Sequence, residues 1–79
     1  MPDTFITAIL ESAPRLMAKC GEPARRMDLL FELLRSIRYR MASGAAHDLR
    51  AETLRAQIVD AAALLYLAYL DVKPKDGQP

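Results

Sequence analysis

Apolar residues recur at alternating three- and four-residue spacing along most of the chain, and the longest such run, Asp48 to Val72, is the one the rest is organised around. Its seam is Ala51, Leu54, Ile58, Ala61, Leu65, Ala68 and Val72, the heptad-type stripe of an amphipathic helix. Val59, Ala63, Tyr66, Leu67 and Leu70 lie beside it, and from Ala61 to Leu70 no charged residue stands on any face. A helix apolar all round is buried all round, so its second half needs neighbours on at least two sides. Asp48 is the expected N-cap, and Lys73-Pro74 supplies a cationic last turn and then a residue that cannot continue a helix. The element predicted is a helix of about 24 residues, about 36 Å long. Its charge-free stretch is about ten residues where a membrane span takes about twenty, so no membrane role is expected.

Two further patterns precede it. Met27, Leu30, Leu34, Ile37 and Met41 keep the same spacing, with Phe31 and Leu33 flanking and Asp28, Glu32, Arg35 and Ser36 behind. Glu22-Pro23 opens this helix, because proline at the first helical position loses a donor that would be unused anyway. Gly44 is its expected stop. The short segment Ser43 to His47 then makes the second and third helices an antiparallel hairpin, about 23–43 and 48–72. In the first segment Ile6, Ile9, Leu10, Ala13, Leu16, Met17 and Cys20 share one helical face. Pro14 deletes the bond to the Leu10 carbonyl and biases Ala13 away from helical dihedrals. The expectation there is a kinked arm, or two short helices meeting near Ser12, closed by Gly21.

Composition narrows the class. Three glycines and few strand-type residues outside the helical runs point to an all-α domain, residues 1–73, with a frayed tail at 74–79. At 79 residues such a domain has a marginal core, which makes a protein partner or a second copy, a dimer being favoured, the expected supplement. A net charge of +1 gives no global field toward nucleic acid or a membrane. The single cysteine, Cys20, allows no internal disulfide and fits a reducing cytoplasm. The amino terminus lacks the basic-then-apolar pattern of a secretory signal.

Candidate chemistry is sparse. His47 is the one histidine, and a lone loop histidine reads as solvated. No Cys/His spacing suggests zinc and no glycine-rich loop suggests a phosphate, so no catalytic, metal or cofactor residue is assigned. A helix-turn-helix reading fails because the would-be recognition helix is the most apolar segment. Charge is nevertheless polarised along the hairpin: Arg35, Arg38, Arg40, Arg50 and Arg55 gather at the turn end, while Glu22, Asp28, Asp60 and Asp71 lie toward the open end. The helix dipole accounts for the arginines late in the second helix but not for Arg50 and Arg55, which sit at the unfavoured end of the third. Arg38, Arg50 and Arg55 are therefore the candidate basic contact patch, suited to an anionic surface on a partner or to the open end of a second copy.

Two likenesses rest on these residues. The hairpin from Leu30 to Leu70, with Arg40-Met41-Ala42-Ser43-Gly44 ending one helix and an Ala-rich apolar end on the longer one, resembles the small helical-hairpin co-chaperones of type III secretion. That resemblance covers half the chain and implies a non-enzymatic protein that packs against a larger helical-repeat chaperone and its cargo. The stretch from Leu54 to Ala63 is similar to the last conserved helix of MazG-like all-α nucleotide pyrophosphohydrolases, which hold magnesium with a Glu three residues before an Asp and an upstream Glu-Glu-x-x-Glu run. Gln57 stands where that Glu would be and the upstream helix offers Phe31-Glu32-Leu33-Leu34-Arg35, so a shared fold would not carry the carboxylate cage with it.

The sequence therefore predicts a small bacterial or phage interaction module of co-chaperone, adaptor or inhibitor type, with a MazG-like hydrolase or its inactive relative as the alternative. The face expected to meet a partner is Leu54, Ile58, Ala61, Leu65, Tyr66, Leu67, Tyr69 and Leu70.

Overall fold

The computed structural model describes residues 4–43 and 51–73, which form α1 (Thr4–Lys19), α2 (Pro23–Ala42) and α3 (Ala51–Val72) with no strand among them. The expected cap Asp48, the stop Gly44, His47, Arg50 and the tail at 74–79 lie outside the described residues. The all-α expectation holds. Glu22 is extended, with φ −99° and ψ 139°, and Pro23 follows at the start of α2. At the other end the Ser43 N–H donates to the Tyr39 carbonyl at 3.0 Å and its hydroxyl to that of Arg40 at 3.1 Å.

Of the two arrangements expected for the first segment, two short helices are not found: α1 runs unbroken through Pro14 instead of splitting near Ser12. Pro14 and Leu10 lie on the exposed side, so water can satisfy the carbonyl that loses its donor. Gly21 does not take the left-handed backbone of a helix stop. The carbonyls leaving α1 are met by an arginine instead: Arg26 Nη1 donates to Cys20 O at 3.0 Å and Gly21 O at 2.9 Å, satisfying acceptors that a helix end otherwise leaves orphaned.

Helix α3 is the centre of the molecule. Both α1 and α2 pack on it, and they touch each other only marginally. Arg55 lies over Phe5 near the start of α1, whereas Met17, near its end, shares a groove with Leu70, so α1 runs parallel to α3. Gln57 meets Ser36 and Asp71 meets Arg26, so α2 runs antiparallel. The extents of 47 × 34 × 22 Å describe a slab, and the radius of gyration of 14.1 Å exceeds the value of about 12 Å for a compact domain of this length.

Its core is Ala13, Leu16, Leu30, Ala61, Ala63, Leu64 and Leu67, with Ile9, Leu29, Leu33 and Ile37 packed against it. Leu16 and Leu64 are each 1% exposed. Along α3, Gln57, Leu64, Ala68 and Asp71 face α2, whereas Asp60 and Leu67 face α1. On α2 the buried stripe is turned by about one residue from the expected one: Arg26, Leu29 and Leu33 go inward and Met27, Leu34 and Met41 stay exposed. By length and composition alone Glu52–Val72 could cross a membrane; here it is the helix on which the other two pack.

Candidate interaction face

One side of α3 meets neither neighbour. Ile58, Leu65 and Tyr69 fall along it at helical spacing, and Leu65 and Tyr69 are 55% and 59% exposed although Leu67 and Leu64, a residue or two away, are buried. The cause is angular. Successive residues rotate about 100° around a helix, so contacts with α1 and α2 on two flanks leave a third sector uncovered.

The neighbouring helices extend this sector. Because α1 is parallel to α3 and α2 antiparallel, residues displaced in the same rotational sense from each packed stripe turn toward the same side of the slab. Leu10 and Met17 thus come up beside Tyr66 and Leu70, with which they line a shallow groove. Met27 comes up beside Val72 across another, and Leu34 follows it two turns along α2. These large side chains are all exposed. Taking roughly 150–200 Å² for each fully exposed side chain, the face presents on the order of 800 Å² of apolar surface. The largest apolar patch on an ordinary monomer covers roughly 300–600 Å².

The opposite side of the slab is polar. Arg15 pairs with Asp60 at 2.7 Å there, and Asp28 and Glu32 line a depression with Cys20, Arg25 and Leu29. Arg26, 4% exposed, lies beneath the end of α3. Its Nη2 donates to Asp71 at 2.8 Å and its Nη1 to the Met17 sulfur at 3.1 Å, besides the two carbonyls already described. One guanidinium thereby ties the last turns of α1 and α3 to the first turn of α2. Its Nε has no hydrogen-bond partner among the described residues.

Of the residues expected to meet a partner, Ile58, Leu65, Tyr66, Tyr69 and Leu70 lie on the open face, while Leu54, Ala61 and Leu67 are buried inside the chain. In the basic patch, Arg38 is exposed on α2, and Arg55 leans over the Phe5 ring at 6.0 Å, on the α1 flank. Two of the acids assigned to the open end, Asp60 and Asp71, are already paired within the chain, and Glu22 and Asp28 are exposed. Leu10, Met17, Met27 and Leu34 were expected in the core, and nothing in the spacing separates an apolar stripe that is packed from one that is open. Arg26 carried no signal, since an arginine beside an apolar stripe reads as a solvated side chain.

The two α3 positions behind the hydrolase likeness are neighbours one turn apart, and each is engaged within the chain: Gln57 donates to Ser36 Oγ at 2.9 Å and Asp60 accepts from Arg15 at 2.7 Å. Among the described residues no group of three or more His, Cys, Asp or Glu side chains is placed to hold a metal ion. No family model matches the chain, and neither a curated protein nor a solved structure matches it.

Proposed function

We propose that the chain is a non-enzymatic protein–protein interaction module that works by covering its open apolar face, in the manner of a co-chaperone, adaptor or small inhibitor in a reducing cytoplasm. The observation that supports this is the face itself: three helices contribute to it, and nothing among the described residues covers it. Its area matches one side of a standard protein interface, about 800 Å². Its tyrosine and methionine content is that of the desolvated centre of such a patch, and Arg38 stands at its edge. The hydrolase alternative has less support, because Gln57 is a neutral amide where that likeness needs a carboxylate and Asp60 is already paired with Arg15; magnesium-dependent hydrolysis of a nucleoside triphosphate by the purified wild-type chain would overturn the present reading.

Hydroxyl-radical labelling tests the proposal with the chain's own side chains. Met27, Tyr66 and Tyr69 should be protected when the chain is labelled inside the expressing cell and reactive when it is purified and highly dilute. Tyr39, 74% exposed and away from the face, should label equally in both. Equal labelling of Tyr69 in the two conditions would contradict the proposal.

A further inference from the structure

We propose that the occupant of the open face is a second copy of this chain, with the two α3 helices crossing antiparallel about a twofold axis at Leu65. The inference rests on the interaction reading above and names its partner.

The stripe itself is the first argument. Outward from Leu65, the exposed sector of α3 reads Ala62 and Ile58 one way, Tyr69 and Val72 the other. In an isologous contact residue i meets residue j and j meets i. Antiparallel pairing about Leu65 sets Ile58 against Val72 of the second copy, two β-branched side chains. It also sets small Ala62 against the Tyr69 ring, so that each bulky group has a recess to enter. None of the five is charged, and Arg55, one turn before Ile58, leans aside over Phe5.

Area and core size are the second argument. Two faces of this size bury on the order of 1,600 Å² together, the standard size for a stable complex. The buried apolar residues among those described number ten, three of them alanine, a thin core for a chain in the length range where assembly commonly completes the fold. Charge agrees with both. Turning the second copy end over end carries the Arg38 end of one α2 over the end of the other that bears Glu22, which is exposed.

Single cysteines in a Cys20→Ala background test the arrangement, with helix content checked by circular dichroism. Under mild oxidation Leu65→Cys should cross-link efficiently, since a residue on the axis meets itself within the roughly 4.4–6.8 Å Cα separation a disulfide spans. Ile58→Cys and Val72→Cys should each cross-link poorly alone but form the mixed species when combined. The uncross-linked wild type should sediment as a dimer at micromolar concentration. Efficient self-cross-linking of Ile58→Cys would overturn the antiparallel arrangement in favour of a parallel one. A wild type that sediments as a monomer would overturn the second copy as occupant, while protection of Tyr69 in the cell would still uphold the interaction reading. A monomer whose face becomes protected only on phosphatidylglycerol vesicles would overturn both.

Discussion

Arg26 is where a single substitution should reveal how the three helices are held together. Arg26→Met keeps most of the apolar stem and removes the guanidinium, together with its bonds to Cys20 O, Gly21 O and Asp71. Breaking a buried ion pair costs about 3–5 kcal/mol. Asp71 is about one-third exposed, its side chain at 34%, so its freed carboxylate rehydrates and that part of the cost shrinks. The Gly21 carbonyl is also near solvent, whereas the bond to Cys20 O is buried, and an acceptor left unsatisfied there costs about 1–3 kcal/mol. The expected loss is about 2–3 kcal/mol, a large share of the roughly 5 kcal/mol a small domain has in total. Asp71→Asn still offers an acceptor to Nη2 and should lose only about 1 kcal/mol. Urea unfolding followed by circular dichroism measures both, at one protein concentration because association would add its own stabilisation. A loss below about 0.5 kcal/mol for Arg26→Met, the level of an ordinary surface substitution, would refute the claim that this side chain ties the helix ends together.

Pro14→Ala should raise stability by about 1 kcal/mol, because α1 is already helical there and alanine restores the donor to the Leu10 carbonyl, an effect partly offset by the freer unfolded chain; an unchanged or lower melting temperature would contradict this. Reversing Arg38 to Glu should leave helix content intact and weaken association, with a loss that shrinks as salt rises, since exposed charges are screened within about 8 Å at physiological ionic strength. Wild-type association of that variant at low salt would show Arg38 to be plain solvated surface.

The span of α2 and the end of α3 were legible in the sequence, because the apolar periods are separated by Gly21-Glu22-Pro23 and by the segment from Ser43 to His47 and the last is followed by Lys73-Pro74, whereas the continuity of α1 was not. Which way each helix turns was not legible either. In α3, residues 61 to 70 are apolar on every face, so periodicity could not favour Leu64 over Leu65, although the structure buries the first and exposes the second. In α2 the strict three-four stripe led through Met27 and Leu34, yet packing brought Arg26 and Leu33 inward. An arginine can go there because the neighbouring loop offers it carbonyls and α3 offers it a carboxylate, partners that only tertiary structure supplies. The continuity of α1 across Pro14 was likewise set by context: the proline falls on the open side of the helix, where its missing bond costs least.

The separation of the open face from the core is tested most directly by one comparison. Leu65 and Leu67 are two residues apart on α3, 55% and 4% exposed, and each can be changed to aspartate. Burying a carboxylate at position 67 costs several kcal/mol beyond the lost packing, comparable with the whole stability of the domain, so Leu67→Asp should lose its helical signal. Leu65→Asp should keep the wild-type circular dichroism spectrum and, in the analytical ultracentrifuge at the micromolar concentration at which wild type is expected to sediment as a dimer, run as a folded monomer. A Leu65→Asp chain that sediments with the mass of wild type would contradict the assignment of this face as the one the protein uses.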